Sequence, residues 1–161
     1  MIRKVTLESN FIVLADLLKL AFSCVAKEFK LTEENCSSNT AFITCEKLIS
    51  QLTDYREFYC FEENNEVIGF IGIEKSLSEA ETFYIEKVAV HPEFRNRGVG
   101  AKLMEFASFR IKQLGGKRIS IGLINSNTKL KEWYLNQDYI EFRIKAYSHL
   151  PFDVCLMEKW L

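Results

Sequence analysis

Apolar residues recur at a 3.6-residue period through Phe11, Leu14, Ala15, Leu18, Ala21, Phe22, Val25 and Phe29, a spacing that predicts one long amphipathic helix beginning after Asn10. Residues 2 to 7 ahead of it read as a short strand. The polar, aperiodic segment 31 to 42 predicts a loop, and CEKLISQL after Thr44 a second, shorter helix. REFYCFEENNEVIGFIGIEK then reads as two β-runs joined at Asn64 and Asn65, residues that tolerate the positive φ of a tight hairpin. TFYIEKVAV, 82 to 90, is a third run, stopped by His91-Pro92. From Gly100 the positions Leu103, Met104, Ala107, Ile111 and Leu114 return to helical spacing, and Gly115-Gly116 signals its C-cap. KRISIGL predicts a strand and TKLKEWYLNQ a short helix, with YIEFRIKAY and FDVCLMEKW as closing strands either side of SHLP. The predicted order is β-α-α-β-β-β-α-β-α-β-β. A strand-helix-strand unit over 82 to 123 implies a right-handed parallel crossover, and the hairpins imply antiparallel neighbours, so the sheet is expected to be mixed.

Composition narrows the class without pointing at a ligand. The chain of 161 residues has a formal charge of -1 with 27% charged residues, which fits one globular domain over 1–161 and gives no global pull toward nucleic acid. Five cysteines, Cys24, Cys36, Cys45, Cys60 and Cys155, include no C-x-x-C pair; they are read as reduced thiols of a cytoplasmic protein, with no metal site. No signal-peptide pattern and no 18-residue apolar run occur, so neither secretion nor a membrane partner is expected.

The chemistry concentrates at VAVHPEFRNRGVGAKLMEF, 88 to 106, where an apolar strand meets arginines, glycines and a helix start. A helix N-terminus presents unpaired N–H groups and the positive end of the macrodipole, and glycines let the backbone approach a ligand closely, so the junction favours phosphate. It is not a P-loop, since no Lys-Ser or Lys-Thr follows. Nor is it a dinucleotide fingerprint, since Leu103 stands where a third glycine is required. Taken alone, Gly98 and Gly100 are equally read as a tight turn with solvated arginines. Asn127 and Tyr134 lie seven residues apart on a predicted helix, a spacing that puts an amide and a phenol on one face.

The stretch resembles the acetyl-CoA-binding motif of the GNAT superfamily of N-acetyltransferases. In that pattern an apolar strand ends in V-x-P and Q/R-x-x-G-x-G/A opens a helix; Val90-His91-Pro92 and Arg95, Gly98 and Gly100 stand in those places. The family's N-x6-Y is matched by Asn127 and Tyr134, while Asp138-Tyr139 replaces the usual Gly-Phe. The likeness extends over nearly the whole chain in element order and over 84 to 139 in motifs. It implies a single-domain α/β (α+β) GNAT-like fold, with a mixed central sheet of about seven strands flanked by about four helices. It also implies acetyl-CoA as co-substrate: backbone amides of Arg95, Asn96, Arg97, Gly98, Val99, Gly100 and Ala101 cradle the pyrophosphate, and Val88, Ala89 and Val90 pair with the pantetheine arm.

The activity so implied is transfer of an acetyl group to a primary amine, here expected on a small molecule, by direct attack without an acyl-enzyme. A peptide amine and a non-catalytic acyl-CoA-binding module are the alternatives. An alkyl ammonium near pKa 10.4 must lose a proton before it attacks. Glu86 is the candidate base, read by period two as sharing a strand face with Tyr84, Val88 and Val90; structural pairing with a cation is the competing reading. Tyr134 is the candidate acid for the departing thiolate, and a backbone N–H near Val88 would polarise the thioester. Tyr84 and His149 are candidates for the acceptor pocket. Cys60 and Cys155 are read as buried strand residues rather than nucleophiles. Nine acids against two bases over 54 to 86, and seven bases against two acids over 93 to 118, suggest an acidic side for a cationic amine and a basic side for CoA. The protein is expected to be a monomer or homodimer.

Overall fold

The computed structural model describes residues 1–161. β1 (Ile2–Lys4) leads to α1 (Phe11–Glu28) and, through a 3-10 turn at Thr40–Phe42, to α2 (Cys45–Ser50). β2 (Arg56–Glu63), β3 (Glu66–Lys75) and β4 (Thr82–Val90) follow as a meander, and a second 3-10 turn at Pro92–Phe94 precedes α3 (Val99–Gln113). β5 (Arg118–Ile124), α4 (Thr128–Leu135), β6 (Ile140–Lys145) and β7 (Val154–Trp160) complete the chain. This is the element order that the hydrophobic pattern predicts, with β1 shorter than expected because Val5 already leaves the strand to be buried under α1.

Local chemistry explains the boundaries. Asn10, Thr44 and Asn127 cap α1, α2 and α4 by accepting backbone N–H groups on their side chains. Asn64 and Asn65 take φ of 51° and 66° in the β2–β3 hairpin. Gly115 takes φ 81° after α3, and a Cβ on Gly116 would lie 2.3 Å from Ile111, so the pair both reverses the chain and lets it pack.

The seven strands run β1-β2-β3-β4-β5-β7-β6, antiparallel throughout except for β4 with β5. α3 and α4 cover one face over Ile71, Ile73, Phe83, Ile119 and Met157. α1 and α2 cover the other, over Phe58, Phe70 and Ala89. Each large apolar side chain so buried contributes about 1.5–3 kcal/mol.

Two features of β4 open the sheet. Its parallel pairing with β5 is confined to Thr82–Tyr84 against Arg118–Ser120, whereas β5 stays bound to β7 as far as Ile124. Beyond Tyr84 the strands therefore splay. On the other edge Glu86 faces Gly72 and Ala89 faces Phe70, so Lys87 and Val88 together oppose Ile71 alone: a β-bulge, with Lys87 at φ 51°. The bulge reverses the alternation of faces. Phe83 and Ile85 before it, and Val88 and Val90 after it, all pack on the α3 face, while Ala89 joins the α1 face. The period-two expectation is corrected here: Tyr84 keeps Glu86 company on the α1 face, and both valines lie on the other.

Candidate functional site

At the end of β4 the chain alternates handedness. Asn96 takes φ 61° and Gly98 φ 78°, and the backbone N–H groups from Asn96 to Ala101 donate to no acceptor within the protein. Successive N–H groups turned inward by such an alternation form an anion-binding concavity, here at the N-terminus of a helix. Gly100 fixes the packing: a Cβ there would lie 3.1 Å from the Trp133 ring, so glycine lets α4 close against the start of α3. Val99 is buried in the same core, and Arg97 lies exposed, its guanidinium 5.0 Å from the Phe94 ring.

Arg95 behaves differently from the expectation that it joins the anion site. Its N–H donates to the Pro92 carbonyl, and its guanidinium donates to the carbonyls of Ala21 at 2.8 Å and Val90 at 3.4 Å. The side chain ties α1 to β4, and the unpartnered run of amides begins one residue later, at Asn96.

On the α1 face Glu86 sits in a four-membered charge cluster. Its Oε2 lies 3.1 Å from Lys87 Nζ, and its Oε1 lies 3.1 Å from Arg56 Nε. The Arg56 Nε proton, however, is directed at Glu74, so Oε1 is buried without a hydrogen bond. Gly72 makes the room: a Cβ there would lie 2.9 Å from the Glu86 side chain and 3.0 Å from the Phe58 ring. Lys87 is the more enclosed partner, its side chain 8% exposed and its ammonium 5.7 Å from the centroid of Phe58. Burial pushes the lysine pKa down, opposed by Glu86. The cation pairing weighed against a functional Glu86 is thus present at both oxygens, with Oε1 making no hydrogen bond.

Tyr134 belongs to the opposite face. It is buried in the α3–α4 core alongside Ile85, Leu123, Val88 and Val90, with Trp133 and Tyr139 set edge-on to its ring. Burial alone pushes its phenol pKa well up, which keeps it neutral and a hydrogen-bond donor. Tyr134 and Glu86 thus lie on opposite faces of the sheet, at the stretch where β4 and β5 no longer pair. Asn127 spends its carbonyl oxygen capping α4, on Leu130 N–H at 3.2 Å, and keeps only its NH2 for other partners. Tyr84 is 3.3 Å from the Ser76 hydroxyl. His149 lies on the exposed β6–β7 connection against Tyr147, in no hydrogen bond or ion pair with Glu86, Tyr84 or Tyr134.

Sequence reasoning passed over Arg56, Gly72, Lys87 and Trp133. Only Gly72 carried a signal, since an isolated glycine inside a strand marks a close approach or a bulge. The division of charge into an acidic and a basic side is also corrected. Glu57, Glu62, Glu74, Glu79, Glu81 and Glu86 are all ion-paired; Glu57 meets Arg110 of α3, Glu86 lies on the α1 face, and Glu79 and Glu81 sit in the β3–β4 loop, so they are not gathered on one side. A chain stretch rich in one sign becomes alternately facing side chains once it is a strand.

Comparison with known proteins places this geometry. Residues 20–139 match the family model described as Acetyltransferase (GNAT) family. Among solved structures, the PaiA N-acetyltransferase of Thermoplasma acidophilum in complex with coenzyme A superposes with a TM-score of 0.79 at 18% identity, over 100% of this chain and 98% of that one. The ribosomal-protein-S18-alanine N-acetyltransferase of Escherichia coli gives 0.74 at 15% identity, over 99% and 94%. A GNAT family acetyltransferase of Elizabethkingia anophelis with acetyl-CoA bound gives 0.71 at 22% identity, over 100% and 97%. With the family model spanning the bulged strand, the amide-lined helix start and the Asn127–Tyr134 helix, the chain belongs to the acetyltransferase (GNAT) family and is an acyltransferase.

Proposed function

We propose that the protein transfers the acetyl group of acetyl-CoA to a primary amine of a small molecule, by direct attack. The observation that carries the reading is the run of unpartnered N–H groups from Asn96 to Ala101, set at the end of a strand whose β5-facing edge is free beyond Tyr84. The first suits the CoA pyrophosphate, with Arg97 beside it; the second, Val88 to Val90, suits the pantetheine amides, which would extend the sheet as an added strand.

The residues then divide the reaction between them. The neutral amine nitrogen attacks the thioester carbonyl carbon, a backbone N–H near the bulge stabilises the oxyanion, and the C–S bond breaks as the amide forms. The proton lost by the amine passes through a bridging water to Glu86 Oε1, which is buried and accepts no hydrogen bond although Arg56 Nε lies 3.1 Å away. Tyr134 donates a hydrogen bond to the leaving thiolate, which then takes its proton from solvent. A phenol whose pKa is raised by burial stays protonated throughout the working range, so this donor is not lost at alkaline pH.

Calorimetry with acetyl-CoA, followed by thiol release over an amine panel with product masses, tests the reading. Micromolar acetyl-CoA binding and amine-dependent CoA release are expected. Binding without release under any amine would reduce the protein to an acyl-CoA-binding module. Tyr134→Phe should lower kcat on the order of 100-fold and leave acetyl-CoA affinity within about threefold; an unchanged kcat removes the tyrosine from the mechanism.

A further inference from the structure

We infer that Lys87 is a positioning residue of the acyl transfer: its ammonium fixes the Glu86 carboxylate and favours its charged form, so that this group can accept the proton of the amine. The inference rests on the reading of Glu86 as proton acceptor given above, and it gives a role to an enclosed ammonium that the reaction scheme leaves unused. Its first support is the direction of the side chain. Consecutive residues of a regular strand point to opposite faces, so a lysine directly after Glu86 would turn toward α3. The bulge prevents this. Lys87 takes φ 51°, and its ammonium lies 3.1 Å from Glu86 Oε2 and 5.7 Å from the centroid of Phe58, a residue of the core under α1. One left-handed residue thus brings an ion pair between chain neighbours onto a single face.

The second support is that packing does not call for a lysine here. A left-handed backbone is unfavourable for a residue with a Cβ and free for glycine. An ammonium whose side chain is 8% exposed gives up hydration, and burial pushes its pKa down against the pull of Glu86. A glycine would avoid the first cost, and a methionine against Phe58 the second. Backbone strain joined to an enclosed charge collects at working sites rather than in scaffolds.

The third support is the distribution of cations around the carboxylate. Arg56 of β2 lies 3.1 Å from Oε1, but its Nε and Nη2 protons are directed at Glu74 of β3, and Tyr55 is another titratable neighbour of that guanidinium. Tyr84, on the same face, lies against the Ser76 hydroxyl. α1 and α2 turn apolar side chains to this core, among them Leu14, Leu18 and Leu48. Lys87 is therefore the cation whose ion pair is with Glu86 alone. A cation at this distance favours the carboxylate over the carboxylic acid, and holding Oε2 fixes the direction of Oε1.

The experiment follows kcat from about pH 5 to about pH 9 with acetyl-CoA and whichever of phenethylamine, spermidine, kanamycin and an alanyl peptide gives the highest kcat/KM. Lys87→Met is expected to move the acid limb up by about one pH unit, an about tenfold loss of kcat below it, with acetyl-CoA affinity and the amine KM within about twofold. The sign follows because removing a cation beside a carboxylate favours its protonated form, which accepts no proton. Lys87→Arg should restore the limb. Lys87→Gly takes the left-handed backbone freely, should reproduce the methionine profile, and keeps the test open if Lys87→Met does not fold. In the Glu86→Gln background Lys87→Met should change kcat by less than about twofold, because the lysine acts through the carboxylate. An unshifted acid limb in the folded Lys87 variants, or an equal loss in the Glu86→Gln background, overturns the positioning role and leaves Glu86 standing wherever Glu86→Gln itself lowers kcat. An unchanged kcat in Glu86→Gln overturns both.

Discussion

Glu57 of β2 and Glu86 of β4 lie on opposite faces of one sheet, each held by two cations, and they are finished to different degrees. Glu57 Oε1 receives Lys4 Nζ at 2.6 Å and Arg110 Nη2 at 2.9 Å, while Oε2 receives the Tyr59 hydroxyl at 2.7 Å and Arg110 Nε at 2.9 Å. The Arg110 hydrogen bonds hold its carboxyl pKa down at about 2, and burial together with Glu57 pushes the Tyr59 phenol up to about 12. Glu86 has one lysine on Oε2 and no hydrogen bond on Oε1. Both carboxylates are ionic anchors by sequence and by sign. The difference is that both oxygens of Glu57 accept hydrogen bonds that clamp α3 to the sheet, whereas Glu86 Oε1 accepts none, beyond the last residue of β4 that pairs with β5.

Substitution should separate the two. Glu86→Gln removes the proposed proton acceptor while keeping the shape, and is expected to lower kcat on the order of 100-fold, with acetyl-CoA affinity within about threefold; single-turnover rates check it, and a loss of binding instead would make Glu86 structural. Glu57→Ala should leave kcat/KM within about twofold and cost about 2 kcal/mol of stability, a fall in Tm of about 4–8 °C. The pH dependence has a definite sign. A carboxyl whose folded pKa lies at about 2, below its ordinary 4.5, stabilises the fold fully above the ordinary value and loses that contribution as pH falls toward 2. Urea midpoints measured at pH 5 and pH 3 should therefore drop further in the wild type than in Glu57→Gln; parallel drops would show that the clamp is not what acid breaks.

What the sequence disclosed of all this was what short-range geometry decides. The turn asparagines, the Gly115-Gly116 stop and the glycine-spaced helix start each depend on a few adjacent residues. The anion cradle was legible for that reason, being made of backbone. Other contacts join side chains from distant segments: Arg56 to Glu86, Glu57 to Arg110, and Phe29, Phe42 and Phe152 around Ile124. Nothing in TFYIEKVAV announces the bulge at Lys87, because a lysine in a left-handed conformation is set by the register between β3 and β4, and that one residue reverses which side chains share a face with Glu86.

Arg95 gives the smallest and most local test of the contrast between backbone-made and side-chain-made halves. As a motif residue beside the phosphate loop it invites the reading of a charge for CoA, in which case Arg95→Ala would weaken acetyl-CoA binding and flatten its salt dependence. Its guanidinium instead bonds the Ala21 carbonyl at 2.8 Å, 74 residues away in sequence, and the Val90 carbonyl. Arg95→Ala should accordingly cost about 1–2 kcal/mol of stability through carbonyls deprived of a charged donor, with acetyl-CoA affinity within about twofold. Arg97→Ala, which removes an exposed guanidinium lying over the Phe94 ring, should do the reverse: Tm nearly constant, and affinity reduced several-fold at low ionic strength but less so at high salt, where exposed charges are screened. Calorimetric titrations of both variants at two salt concentrations, with melting curves, decide it. An affinity loss in Arg95→Ala as large as that in Arg97→Ala would move Arg95 back among the phosphate ligands.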